Sequence, residues 1–250
     1  MKNKRYLISG ASSGIGYQIA FDILSQGGSV VGVSRHKSDK ITSLLERYPE
    51  NFFFKQKDLS EDIDGLSKWV IGLSKEIGRF SGFVHSAGIQ QILPLQTNSY
   101  KKMLEVFNLN LFSGLSIAKG IADRRVNIGE GTSVVFLSSI ASITGASGLI
   151  NYSASKASLN GAMRAMAAEL APLKIRVNTV LPGFIETEMI EKWKDVYSEE
   201  YIQKIHDTCP LGVGTAKDVS NMVCFLLSEQ SNWITGNEFN VDGGNSLGGF

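Results

Sequence analysis

The chain has 250 residues, 43% of them hydrophobic and 20% charged; at the usual ~150 residues per domain this suits one large domain, and it excludes a disordered, collagen-like or low-complexity chain. With 25 Lys and Arg against 24 Asp and Glu the net charge is +1, so no global field is available to hold a nucleic acid or an anionic membrane, and any anion site must be local. Cys209 and Cys224 form neither a disulfide framework nor a metal-ligand cluster and suit a reducing cytoplasm, while no apolar stretch approaches the ~20 residues needed to cross a bilayer.

In chain order, short apolar runs predict strands at Tyr6–Ser9, Ser29–Ser34, Phe52–Gln56, Gly82–Ser86, Ser133–Ser138, Arg176–Leu181 and Glu238–Val241. The runs are apolar continuously rather than alternately, as expected of strands covered on both faces. Between them, helical periodicity predicts helices at Gly16–Leu24, Leu66–Ile77, Tyr100–Ile121, Tyr152–Leu170 and Lys217–Leu227. The alternation reads as βαβ units, and no linker or repeat divides the chain, so the expectation is an α/β fold: one doubly wound parallel sheet (Rossmann fold) spanning residues 1–250. Thr187–Pro210 fits that sheet least. Its Met189, Trp193, Tyr197 and Tyr201 among charges suit either a flap over the substrate or an ordinary amphipathic helix pair.

Directly after the first strand comes Ser9-Gly10-Ala11-Ser12-Ser13-Gly14-Ile15-Gly16, a glycine turn that opens a helix. Bare backbone N–H groups at a helix N-terminus supply donors and positive dipole to a pyrophosphate, and Ser12 and Ser13 can add hydroxyl donors. At the end of the second strand, where an acid would select NAD, the sequence reads Ser34-Arg35-His36-Lys37. Arg35 is placed to fork onto a 2′-phosphate, which points to NADP over NAD; a solvated loop edge is the alternative. Asp58 follows the third strand and suits either the adenine amino group or the start of a helix near Ser60.

The reacting groups are Ser139, Tyr152 and Lys156. Tyr152 and Lys156 lie four apart on one helix face, and Ser139 ends the preceding strand, where ligands of open α/β sheets gather. A free phenol has a pKa of about 10, and bringing it near 7 takes about 4 kcal/mol. An ammonium about 4 Å away supplies roughly that at an effective dielectric of 20, but only about 1 kcal/mol in bulk water, so the site must be partly dry. Under that condition Tyr152 serves as general acid in carbonyl reduction and general base in alcohol oxidation, with Ser139 donating to the oxygen that gains charge.

Together with Asp58-Leu59, His85-Ser86-Ala87-Gly88, Asn110, the stretch from Asn178 to Thr187 and the closing run from Ile234 to Gly244, these pieces resemble the short-chain dehydrogenase/reductase family over essentially the whole chain. The resemblance implies that Lys156 also holds the nicotinamide ribose and that Asn110 anchors a water relay to Lys156. It further implies that Gly10, Ser12, Ser13, Gly14, Ile15, Gly16, Ser34, Arg35, Asp58, Leu59, Ala87, Gly88, Pro182, Gly183, Ile185 and Thr187 line the dinucleotide, with no metal. The chain is similar to 3-oxoacyl-acyl carrier protein reductases and to relatives acting on sugars, polyols and other carbonyls. The implied substrate is thus a small molecule or an acyl thioester, and the implied assembly is a homo-oligomer, a tetramer. An acidic carrier protein would want a basic patch, for which Lys119, Arg124 and Arg125 are candidates. Gln90, Gln91, Leu93, Gly145, Ala146 and Leu149 are expected to face substrate. The chain departs from the pattern twice: Ser9 stands where Thr is usual, and His85-Ser86 replaces an Asn pair. A strand-end histidine satisfied by backbone is the expectation for His85. Rival readings are a nucleotide-sensing module on the same fold and an epimerase or dehydratase acting on nucleotide sugars.

Overall fold

The computed structural model describes residues 1–188 and 208–247. Seven strands, β1 Arg5–Ser9, β2 Ser29–Ser34, β3 Phe52–Gln56, β4 Gly82–His85, β5 Ser133–Leu137, β6 Arg176–Pro182 and β7 Glu238–Val241, form one sheet in the order β3-β2-β1-β4-β5-β6-β7. Every neighbouring pair is parallel. The helices of this frame are α1 Gly14–Ser25, α2 Asp39–Arg47, α3 Leu66–Ile77, α4 Tyr100–Phe107, α5 Ser113–Ala122, α6 Ile150–Leu170 and α7 Ala216–Leu227.

Alternation along each strand builds two cores, because successive side chains of a strand point to opposite faces. Leu7, Val31, Phe83, Phe136 and Val177 pack under α3, α5 and α6, whereas Ile8, Val30, Val84, Val135 and Val180 pack under α1, α2 and α7. The five inner strands, β2, β1, β4, β5 and β6, are therefore covered on both faces and carry no polar alternation, whereas the edge strand β7, Glu-Phe-Asn-Val, alternates and is only partly buried. The predicted strands and helices are present, their ends shifted by one or two residues.

Two features differ from the reading of the sequence. Helix α2 was not among the predicted elements; Ser38 caps it, its hydroxyl accepting from Ile41 N at 3.3 Å, but only Ile41 and Leu44 of its nine residues are buried, so its apolar stripe is thin. The predicted helix Tyr100–Ile121 is two helices joined by a π-helical turn, Asn108–Phe112. There Ser113 N bonds Asn108 O, five residues back rather than four. No described helix is long and apolar enough to cross a membrane.

Candidate active site

In this strand order the chain leaves β1 for β2 on one side and returns to β4 on the other, and ligands of such sheets bind at the carboxyl ends of the strands flanking that switch. The glycine turn sits there. Gly10 has φ +71°, and a Cβ on it would stand 2.8 Å from Ala87 N; a Cβ on Gly16 would stand 2.2 Å from Gly10 O. One glycine thus serves the bend and the other the close crossing of helix over turn. Ser9 performs as a hydroxyl should at this point, accepting from Ser86 N at 3.1 Å and Ala87 N at 3.2 Å. Ser38 Oγ donates to Ser12 O at 2.9 Å, tying the turn to α2, while Ser13 takes the N-cap position of α1 with no side-chain cap bond.

The amino end of α1 already holds an anion. Gly14 N donates to Glu188 Oε2 at 3.0 Å, and the other carboxylate oxygen pairs with Lys40. Partial burial alone would raise the Glu188 carboxyl; the Lys40 ammonium and the Gly14 amide outweigh it and hold the group below the usual range. The segment that follows β6 therefore lies against the turn: a Cβ on Gly14 would be 3.5 Å from the Thr187 methyl. Gly183 N, just past Pro182, donates to Val241 O at 2.9 Å, and Ile185 is buried.

At the outer edge, Ser34 Oγ donates to His36 O at 2.7 Å, turning the chain so that Arg35, His36 and Lys37 are exposed. Asp58 Oδ1 accepts from Ser60 N at 2.9 Å and Ser60 Oγ at 2.6 Å, closing a turn rather than starting a helix: the next helical residues are Ile63–Gly65, and α3 begins at Leu66. Burial raises this carboxyl, but the Ser60 bonds, with Arg35 and His36 nearby, bring it below its usual range. Leu59 is buried beneath it.

Of the three candidate reacting groups, Tyr152, half-buried, stands one turn before Lys156, which lies on the buried stripe of α6. Asn151, Ser155, Lys156 and Asn160 fill its amino-terminal half, and Leu159, Met163, Ala167 and Leu170 continue it. One stripe thus serves the site at one end and the core at the other. Lys156 is 4% exposed; its Nζ donates to Leu137 O at 2.7 Å and lies 5.7 Å from the Tyr152 ring centroid. Burial pushes the ammonium down from 10.5 to about 8. Ser138 Oγ donates to Lys156 O at 2.9 Å, clamping α6 to the end of β5. Ser139 follows, and its hydroxyl accepts from Ala141 N at 3.1 Å at the start of a short 3-10 turn. A Cβ on Gly88 would be 3.2 Å from Asn110 Oδ1 and 3.4 Å from Lys156 Nζ, so these two side chains flank the same point. Asn110 spends its amide on Ile89 N, Ile89 O and Ser155 Oγ, at 2.8, 3.0 and 3.0 Å. Ser155 in turn donates to Tyr152 O at 2.8 Å.

Sequence reasoning missed Ser138, Ser155, Lys40 and Glu188. Ser155, three past Tyr152 on one face, was open to the spacing argument; Glu188 was not, since only the folded chain brings it to α1. Of the residues expected at substrate, the stretch around Leu93 meets the loop after Ser139, with Leu93 N donating to Gly148 O at 2.9 Å. The suggested basic patch lies at the opposite, amino-terminal edge of the sheet. Arg125 is paired with Asp123 at 2.6 Å, and Arg124 joins Arg79 and Lys174 around a cavity of about 280 Å³. The suggested flap falls mainly on residues 189–207, outside the described residues. No cluster of three or more His, Cys, Asp or Glu suited to a metal occurs among the described residues.

Comparison with known proteins accords with this geometry. The family described as Enoyl-(Acyl carrier protein) reductase matches residues 10–246. The 3-oxoacyl-[acyl-carrier-protein] reductase FabG of Thermotoga maritima is 32% identical over 247 residues, covering 98% of each chain. The vibriobactin-specific 2,3-dihydro-2,3-dihydroxybenzoate dehydrogenase of Vibrio cholerae is 29% identical over 255 residues, covering 98% of this chain and 97% of its own. Among solved structures, 4-hydroxyisoleucine dehydrogenase complexed with NADH superimposes with a TM-score of 0.90 at 26% identity, over 99% of this chain and 100% of that one.

Proposed function

The chain belongs to the short-chain dehydrogenase/reductase family and is an NAD(P)-dependent oxidoreductase; from that premise we propose that it reduces the carbonyl of a small molecule or acyl thioester with NADPH, Tyr152 delivering the proton. The observation that carries this reading is the buried Lys156 ammonium, 5.7 Å from the Tyr152 ring at the carboxyl end of the sheet. In such a site an ammonium is worth several times its value in water, enough to make the phenol exchange its proton near neutral pH.

The residues fit a dinucleotide. Gly14 N already satisfies a carboxylate, the kind of anion that a pyrophosphate would replace. Gly10, Ser12, Ser13, Gly14, Ile15 and Gly16 would hold the phosphates, Ser34 and Arg35 the 2′-phosphate, Asp58 and Leu59 the adenine, and Ala87, Gly88, Pro182, Gly183, Ile185 and Thr187 the nicotinamide half. The bound cofactor would supply the hydride. Ser139 donates to the substrate oxygen, Tyr152 O–H gives that oxygen its proton, Lys156 N–H holds the phenol side negative, and Asn110 keeps the path behind Lys156 ordered.

The exposed Arg35, with no acid before Asp39, favours NADPH over NADH. By their names the relatives include a 3-oxoacyl-[acyl-carrier-protein] reductase and dehydrogenases of small hydroxylated molecules, so the substrate class stands as a ketone, β-ketoacyl thioester or keto sugar, or the matching alcohol. The cations around Arg79, Arg124 and Lys174 are a strand length from this chain's own site, about 17 Å for five residues. The tetramer belongs to the same reading and rests on the family resemblance. A panel of ketones, β-ketoacyl thioesters and keto sugars, followed by NADPH absorbance with NADH in parallel, tests it. Turnover of one class with NADPH ahead of NADH is expected; binding of NADPH with no turnover of any class would favour the nucleotide-sensing rival.

A further inference from the structure

His85 ends β4 and is fully buried, and both of its ring nitrogens are engaged. Nε2 lies 3.2 Å from Leu109 O and 3.2 Å from Asn110 O, and Nδ1 lies 2.9 Å from Ser9 Oγ. Carbonyls only accept, so Nε2 carries the hydrogen and Nδ1 accepts from the Ser9 hydroxyl. Burial, reinforced by the Lys156 ammonium, pushes the imidazole down to about 3, which keeps this neutral tautomer through the working range.

The carbonyls that His85 serves are those of the π turn. Because Ser113 N goes to Asn108 O, Leu109 O loses the amide that an α-helix would give it. Ser113 Oγ, at 2.7 Å, and His85 Nε2 replace that donor. A buried carbonyl without a donor costs roughly 1–3 kcal/mol, so the turn depends on such replacements. The turn is what carries Asn110 inward to Ile89 and Ser155.

Gly114 shows that the ring and the helix are matched. A Cβ there would stand 2.6 Å from His85 Cδ2 and 2.9 Å from its Cγ and Nε2. Glycine in a helix costs about 1 kcal/mol relative to alanine, and the space for the imidazole is what α5 gains from it.

We propose that His85, seated in the space left by Gly114, is a positioning residue: it holds the π turn that aims Asn110 and, through Ser155, sets the first turns of α6 on which Tyr152 and Lys156 stand. The proposal rests on the reading of Tyr152 and Lys156 as the proton-exchanging pair.

The test compares Gly114→Ala, His85→Asn, His85→Phe and the double variant His85→Asn/Gly114→Ala, using NADPH and the best carbonyl of the panel. Gly114→Ala is expected to lower kcat by about tenfold or more, the scale of a small misplacement of reacting groups, with NADPH affinity held within about twofold. His85→Asn and the double variant are expected to lower kcat to the same extent, because the shorter amide clears the new methyl but does not carry a donor to Leu109 O and Asn110 O. His85→Phe keeps ring bulk without a donor, and is expected to lower kcat and displace the alkaline limb of the pH profile. Wild-type kcat in Gly114→Ala, a double variant well below His85→Asn alone, or an unchanged kcat and pH limb in His85→Phe overturns the proposal. Should Gly114→Ala fail to fold, recovery of folded protein in the double variant decides the pairing. The nitrogen-15 spectrum of the three histidines reads the tautomer without turnover: a neutral Nε2–H His85 is expected, and an Nδ1–H form overturns the assignment. A fully active Tyr152→Phe would instead sink the reading of the catalytic pair.

Discussion

The two ends of the groove above the sheet are built on different physics. At the inner end, His85, Asn110 and Lys156 are all buried, at 0%, 0% and 4% exposure, and each polar atom has a stated partner. At the outer end, Arg35, His36 and Lys37 are exposed, and the Lys40–Glu188 pair lies at the surface. Burial makes each inner group expensive to alter, because a change leaves its neighbours unsatisfied in a medium that cannot compensate. Exposed charges are screened and cheap to exchange. On the proposed function, proton chemistry and cofactor choice are then under separate control, and substitutions at the two ends should separate them.

The largest effect belongs to the inner end. Tyr152→Phe removes the proton donor and keeps the ring, so turnover should fall by about 10²- to 10⁴-fold, the usual scale for general acid catalysis. NADPH affinity, read by fluorescence titration, should stay within a few-fold; joint loss of both would mean that the inner and outer ends are not separate. The same region carries a pH signature. Lys156 is depressed from 10.5 to about 8, so reduction should fall as pH rises past about 8 and the phenol loses its ammonium. Stability moves the other way. Between about 8 and 10.5 the unfolded chain holds a proton that the native chain has released, so stability climbs with pH across that window, and below it the full cost of burying the charge is present. A kcat profile flat to pH 10 would show that Lys156 keeps its proton or that the phenol does not need it.

The next effect is at the outer edge. Arg35→Asp exchanges a fork for a carboxylate where a 2′-phosphate is expected, removing a charge-assisted contact worth roughly 1.5–3 kcal/mol. NADPH affinity should fall by about 10- to 100-fold with NADH affinity nearly unchanged. Equal losses for the two cofactors would place Arg35 outside the selection.

How much of this was readable in advance follows the same division. The strands were legible because both faces are buried and the runs are uniformly apolar, as in Tyr6-Leu7-Ile8 and Val134-Val135-Phe136. Tyr152 and Lys156 were legible because helical spacing alone puts them on one face. The π turn was not, since Val106, Leu109, Ile117 and Ile121 keep one helical face across it, and the extra residue appears only in the hydrogen bonds. Helix α2 carries Ile41, Leu44, Leu45 and, at its carboxyl cap, Tyr48 at i, i+3, i+4 and i+7 after the Ser38 cap, a pattern open to sequence reasoning in a helix of only nine residues. For Asp58 the sequence raised both a helix start near Ser60 and an adenine contact; Ser60 lies in a turn that Asp58 closes, and the first helical residue is Ile63, so no helix starts there. Glu188 had no local pattern at all, being 174 residues from Gly14 along the chain.

That carboxylate yields the smallest and most discriminating effect. Glu188 sits on the amide at the amino end of α1, the position a pyrophosphate would need, so it must leave before phosphate oxygens can take the Gly14 N–H. An anion at an exposed helix N-terminus is worth about 0.3–1 kcal/mol. Glu188→Ala should accordingly tighten binding of NADPH and NADH alike by roughly two- to fivefold, because the pyrophosphate is common to both. A gain confined to NADPH would instead credit Lys40, freed from its pair, with reading the 2′-phosphate. Weaker binding of both cofactors in calorimetric titration would show that Glu188 helps to hold the dinucleotide, and the two ends of the groove would then share more than the comparison allows.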